Sequence, residues 1–262
     1  MGGRERPLLQ CQSIERRFGG LVAVTGVDLE IAPGEIFGLV GPNGSGKTTL
    51  TNTISGFYPP HHGRVLLEGR DITGVQPHKV AKLGVARTFQ NLALFNGLTV
   101  LENILLGRHI HMRPSVLRTA LYWWMSRPDE TKHRLVVEEV IDFMQLQNVR
   151  DELVDSIPIG LKKRVELARA LVAEPKLLIL DEPMAGMNQE EKEYMSRFVL
   201  DARDERGVSV LLIEHHMDVI VGICDRMLAL NYGEMIATGK PVDVIADPRV
   251  VTAYIGHSHG GH

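Results

Sequence analysis

"GLVGPNGSGKTTLTNTISG", Gly38 to Gly56, is the stretch on which the reading of the fold turns. Gly41 to Thr48 fits G-x-x-x-x-G-K-[ST] at every fixed position, after an apolar run (Ile36 to Val40) that predicts a strand and before a stretch that predicts a helix. Glycines let backbone N–H groups turn inward on a polyanion, and a helix N-terminus adds the positive end of its dipole. In such a loop Gly41, Pro42, Asn43, Gly44, Ser45 and Gly46 form the cradle. Lys47 then reaches the outer phosphates, and Thr48, followed by Thr49, offers a hydroxyl to Mg²⁺.

Composition sets the limits around this motif. The chain has 262 residues, enough for one large α/β domain or two lobes. Its hydrophobic fraction is 44% and its charged fraction 23%, ordinary for a globular protein. A net charge of -3 argues against a dedicated nucleic-acid binder. Cys11 and Cys224 stand far apart, in no metal-binding or redox spacing, and predict two unpaired thiols in a reducing compartment. No apolar run approaches the ~18–20 residues that span a bilayer, and "MGGRERPLLQ" lacks the apolar core of a signal peptide. A soluble, uncleaved chain is expected, with any membrane role arising through partners.

Outward from the loop the pattern alternates. "LLQCQSIERRF", "VAVTGVDLEI", "EIFGLVG" and "HGRVLLEGRDITG" read as strands. A helical middle follows from about Val100 to Val172. "KLLILDEP" and "VSVLLIEHH" then return as short apolar runs, the mark of strands buried on both faces. Between them "NQEEKEYMSRFVLDARDERG" predicts a solvent-facing helix closed by Gly207. This order implies a nucleotide-binding α/β core with a helical part inserted in its middle.

"LLILDEP" places Asp181 and Glu182 at the carboxyl end of a buried strand. An acid there can hold Mg²⁺ as the second partner of a phosphate loop. Its neighbour can orient, or take a proton from, an attacking water.

With these pieces in order, the chain resembles the ATP-binding subunits of ABC transporters over nearly its whole length. The resemblance implies a P-loop NTPase (RecA-like) α/β core, an N-terminal antiparallel β subdomain and an inserted α-helical subdomain. It implies one ATPase domain over 7–256, with core and β subdomain at about 7–90 and 174–245. The helical subdomain then spans about 91–173, and a C-terminal helix and His/Gly-rich tail span 246–262. Phe18 in "RRFGG" matches the aromatic that stacks on adenine. Gln90 in "ARTFQNLALF" matches the glutamine that links the Mg²⁺ site to the membrane subunits. Asp181 and Glu182 match the metal aspartate and the catalytic glutamate, and Asn188 in "MAGMN" belongs to the loop that crosses the dimer. His215 in "LLIEHHMD" matches the switch histidine at the γ-phosphate, with His216 as the alternative register.

Closer likeness runs to the larger ATPase subunit of branched-chain (hydrophobic) amino-acid importers. It is carried by "FGGLVAV", "TFQNLALFNGLTVLENILLGRH", "AGMN", "LIEHHMDVI", "CDRMLALNYGEMIATG" and "VTAYIG". Importers of urea, amides or aromatic acids and exporters of lipids or polysaccharides share much of this pattern. A soluble ABC protein fits less well, because two ATPase domains or a coiled-coil insert are missing. The resemblance implies ATP/ADP and Mg²⁺ as ligands. It also implies a second ATPase subunit (like or unlike), two transmembrane permease subunits and an extracytoplasmic solute-binding protein. The location implied is cytoplasmic, peripheral on the inner face of the cell membrane.

"DSIPIGLKKRVELARAL", Asp155 to Leu171, takes the position of the family's signature helix, commonly L-S-G-G-Q. Aligned on Gly160, Pro158 stands at the serine, Ile159 at the first glycine and Leu161 at the glutamine. Proline removes a hydroxyl, yet it suits a first helical turn, and the amides that follow can still face the partner's ATP. Lys162, Lys163 and Arg164 either add positive charge there or form a solvated face. The basic segment His109 to Arg134, with Trp123 and Trp124, is either such a face or a contact for permease or lipid. The tail "GHSHGGH" is either a weak metal binder or a plain terminus.

Overall fold

Strand β3 (Ile36–Val40) is buried at all five positions, and β7 (Leu177–Asp181) and β8 (Ser209–Ile213) share that pattern. Aliphatic side chains on both faces of a strand require a cover on each side of the sheet. The computed structural model, which describes residues 6–88, 94–108 and 128–257, supplies two such covers. The six-stranded sheet runs β10-β9-β3-β8-β7-β6, with β6 (Val85–Arg87) and β9 (Arg226–Asn231) parallel to their neighbours. Among the described residues, β10 (Glu234–Gly239) alone runs antiparallel in this sheet, hairpinned to β9.

Side chains alternate across this sheet with period two. Ile36, Val40, Leu178, Leu180, Val210 and Leu212 enter one core. Phe37, Leu39, Leu177, Ile179, Leu211 and Ile213 enter the other. The second core is closed by the antiparallel sheet β2-β1-β4-β5, from β1 (Leu9–Phe18), β2 (Leu21–Ile31), β4 (His62–Leu67) and β5 (Arg70–Asp71). It also receives Leu50 and Ile54 of α1 (Lys47–Ile54) and Val80 of α2 (Pro77–Lys82). Full burial of each such side chain is worth about 1.5–3 kcal/mol.

The first core is closed by helices. α3 (Val100–Gly107), α4 (Pro128–Phe143) and α5 (Ile159–Leu171) pack on one another, sending Ile104, Val140, Ile141 and Val165 into it. α6 (Gln189–Arg206) adds Met195, Phe198 and Val199, and α7 (Met217–Ile223) adds Val219 and Ile220. The short α8 (Pro241–Ile245) and α9 (Pro248–His257) follow β10. The α/β core and helical part expected from the order of motifs are present, as is the antiparallel β part that the family resemblance implies.

Local chemistry sets the helix ends. Thr99 and Glu102 form a reciprocal capping box at α3, as Asn188 and Glu191 do at α6. Gly207 ends α6 at φ 65, the left-handed turn that its residue type predicts. Among the described residues, no helix is long and apolar enough to cross a membrane.

Candidate functional site

The loop Gly41–Thr48 lies between the end of β3 and the start of α1, and its shape needs its glycines. Gly41 has φ 151, and a Cβ there would overlap the Leu230 carbonyl oxygen and the Ser45 hydroxyl. Gly46 is the N-cap of α1 at φ 106, and a Cβ there would stand 2.5 Å from the Ala23 carbonyl oxygen. The back of the loop is fastened where Gly233 N–H donates to Ser45 O at 2.9 Å. Thr25 N–H donates in turn to Gly233 O at 2.8 Å. On α9, burial pushes the Tyr254 hydroxyl up to about 12, and the Gly41 backbone opposes that shift.

The front of the loop suits a polyanion. Gly46 gives α1 no side-chain cap, and among the described residues this leaves its N-terminal amides to an outside acceptor. Among the described residues, the buried Ser45 Oγ has no hydrogen-bond partner. Asn43, Gly44 and Thr48 are exposed, and Pro42 and Lys47 are buried. Lys47 Nζ curls back to donate to Gly41 O at 2.7 Å and Pro42 O at 3.0 Å. Burial lowers its pKa, and the carboxylates of Glu182 and Asp181 oppose that shift. These groups fit a nucleotide's phosphates. Among the described residues no three His, Cys, Asp or Glu side chains gather on one point, so Mg²⁺ here would share phosphate oxygens with Thr48 and Asp181.

β7 delivers the acids. Asp181 is 4% exposed, and its Oδ2 accepts from Arg87 at 2.8 Å. Glu182 turns the chain at φ 50, a left-handed conformation costing a residue with a Cβ about 1–2 kcal/mol. Its N–H donates to Ile213 O at 2.9 Å, which ties the bend to β8. The Glu182 carboxylate meets His215 Nε2 at 2.7 Å. His216, the neighbouring register, serves instead as the N-cap residue of α7. Glu214 is 1% exposed and accepts from Met184 N–H at 3.0 Å and His215 N–H at 3.1 Å, clamping both loops together. Phe18, 40% exposed at the end of β1, stands edge-on to Tyr58 at 5.2 Å. The Arg16 guanidinium lies 4.8 Å from the Phe18 ring centre.

The structure thus gathers the loop, Asp181, Glu182 and His215. Gln90 falls outside the described residues, as do Trp123, Trp124 and the "SHGGH" end of the tail. No hydrogen bond or ion pair among the described residues links Pro158–Leu161 to the loop. Pro158 is the N-cap residue of α5 and not part of its first turn, and it gives no side-chain cap. Ile159 is exposed, Leu161 half-buried and Gly160 buried against Glu191, whose carboxylate fills the place of a Cβ. Asn188 accepts from Glu191 N–H at 2.9 Å.

The two readings of the basic run both need correction at Lys163 and Arg164. Lys163 is buried and lies 3.8 Å from Glu166. Arg164 donates to the Met144 and Gln145 carbonyls at the end of α4 and lies over the Phe198 ring. Orphaned carbonyls at a helix end attract such a cation more strongly than open solvent does. Lys162 stays near the surface, on Asp155 O at 3.1 Å. Arg87, Asn52, Tyr58, Glu214 and Tyr254 were not legible as site residues. The only signal was an acid or cation at the end of an otherwise apolar strand, at Glu214 and Arg87.

Comparison with known proteins supports the same assignment. The ABC transporter family model matches residues 24–185, and that of the branched-chain amino acid ATP-binding cassette transporters matches residues 234–260. The chain is 36% identical over 253 residues to the high-affinity branched-chain amino acid transport ATP-binding protein BraF of Pseudomonas aeruginosa, covering 97% of this chain and 99% of that one. It is 35% identical to LivG of Escherichia coli K12, a protein of the same description, at the same coverage. A nucleotide-free ATP-binding cassette from an ABC transporter superposes with a TM-score of 0.84 at 32% identity, covering 95% of this chain and 99% of that one. An ADP conformation of such a cassette gives 0.82 at 31% identity, over 95% and 99% of the two chains. With the phosphate loop, the acids after β7 and the two-core fold in place, the chain belongs to the ATP-binding cassettes of the ABC transporter family, in the group that includes those of branched-chain amino acid transport.

Proposed function

We propose that this chain binds and hydrolyses ATP to energise an importer of branched-chain or other hydrophobic amino acids. The pairing of Glu182 with His215 at 2.7 Å, beside an intact phosphate loop, carries the reading. The loop amides and Lys47 hold the phosphates, and Phe18 stacks on the base. Glu182 takes a proton from water as the water oxygen bonds to the γ-phosphorus. The bond from that phosphorus to the bridging oxygen breaks, and ADP leaves with its electron pair. His215 holds the glutamate in line and touches the γ-phosphate. Thr48, Asp181 and Gln90 would hold Mg²⁺, which would supply neutralisation of the charge on the phosphates.

Pro158, Ile159, Gly160 and Leu161 face the nucleotide of a second ATPase subunit, like or unlike this one, and Asn188 lies on the loop that crosses to it. The one ATPase domain spans 7–256, with a helical subdomain at about 91–173. Two permeases and an extracytoplasmic binding protein complete a complex on whose inner membrane face the chain sits. The names of the relatives and the match of residues 234–260 support amino acids as the cargo.

The test is Glu182→Gln in the assembled complex. ATP hydrolysis and leucine uptake should fall at least about 100-fold, with ATP still bound. Undiminished hydrolysis refutes the role of Glu182; hydrolysis in the parent complex without leucine-stimulated uptake refutes the cargo.

A further inference from the structure

Arg87 stands last in β6, on the segment that runs on to Gln90, and the loop motif does not call for an arginine there. Its side chain is 7% exposed, and its guanidinium reaches both the acid after β7 and the loop helix. One nitrogen donates to Asp181 Oδ2 at 2.8 Å, the other to Asn52 Oδ1 at 2.6 Å. Asn52 lies on α1, the helix that Lys47 opens, so a single side chain spans β6, β7 and the loop helix. Asp181 N–H also donates to Thr88 Oγ1 at 3.3 Å, a second tie from the residue after Arg87.

A buried ion pair is weak evidence for stability, since desolvation of both charges offsets their attraction. What the planar fork supplies is direction. With Oδ2 engaged, Oδ1 is the oxygen of Asp181 that Arg87 leaves unengaged. Arg87 also places a fixed positive charge against an acid that would otherwise repel phosphates.

We propose that Arg87 is a positioning residue for Asp181: it fixes one carboxylate oxygen so that the other meets the metal, and it balances the acid's charge when no metal is bound. This rests on the assignment of Asp181 as the metal acid.

The experiment measures binding of a fluorescent ADP derivative to the full chain, with Mg²⁺ and in EDTA. Arg87→Gln should weaken binding in EDTA about tenfold, because the unbalanced carboxylate repels the phosphates, and Mg²⁺ should recover most of the loss. Arg87→Lys keeps the charge without the fork, so it should hold the EDTA affinity within about threefold and still slow turnover in the complex. Equal weakening with and without Mg²⁺, or none, overturns the proposal. Asn52→Ala frees the guanidinium from its second anchor and decides the matter if Arg87→Gln does not fold. It should shift the same ratio in the same direction, and an unmoved ratio overturns the proposal. Asp181→Asn separates the two levels. If it leaves the Mg²⁺ dependence of binding intact, the metal acid itself is misassigned. If it abolishes that dependence while Arg87→Gln changes nothing, only the role of Arg87 falls.

Discussion

Lys47 shows how a single residue is tuned by its surroundings. Its ammonium is buried on two loop carbonyls, and burial lowers its pKa below the ordinary 10.5. A bound polyphosphate favours the charged form and raises that pKa again. In the window between the lowered value and 10.5, nucleotide binding should therefore take up protons, and affinity should fall as pH rises. Titration calorimetry in two alkaline buffers of different ionisation enthalpy measures this uptake, and identical heats would contradict it. The sign for folding is the reverse. The unfolded chain holds more protons at Lys47 in that window, so this residue's contribution to stability grows with pH there. Glu182 is tuned through backbone strain instead: its left-handed φ aims the carboxylate at His215, a local cost that the β8 hydrogen bond helps to hold.

At the scale of elements, helix ends carry the chemistry. Asn188→Ala removes the cap of α6 and should cost about 1 kcal/mol of stability, read as a lower denaturant midpoint at unchanged slope. Pro158 gives α5 no cap, so Pro158→Ser should leave nucleotide affinity of the isolated chain unchanged and alter only the activity of the assembled pair. A changed affinity in the isolated chain would contradict the assignment of this helix to a partner's site. The same elements divide what the sequence discloses from what it withholds. β3, β7 and β8 were legible because period-two burial on both faces leaves an unbroken apolar run. The end of α6 was legible because a left-handed turn selects glycine at Gly207. The fates of Lys163 and Arg164 were not, since a cation reads alike in sequence whether solvent or a helix's carbonyls receive it. Arg87 was hidden for a related reason: its partner Asp181 lies 94 residues away. Only the pairing of β6 with β7 brings them together.

Over the whole molecule, the parallel sheet separates two cores, and each takes one cysteine, Cys11 on the antiparallel side and Cys224 on the helical side. Both thiols are free and buried, and burial pushes each up to about 12. Neither should react with a thiol reagent at neutral pH until the chain unfolds, and both should then react. Labelling of the folded chain would show that a core opens locally. One contact joins regions that the cores leave apart. The Glu191 carboxylate accepts Asn188 N–H at 2.9 Å and also fills the space beside Gly160 where any side chain would go. A methyl group at Gly160 would push that carboxylate aside. The cap of α6 and the first turn of α5 are therefore built around one carboxylate, and a side chain added at Gly160 is felt at the Asn188 turn.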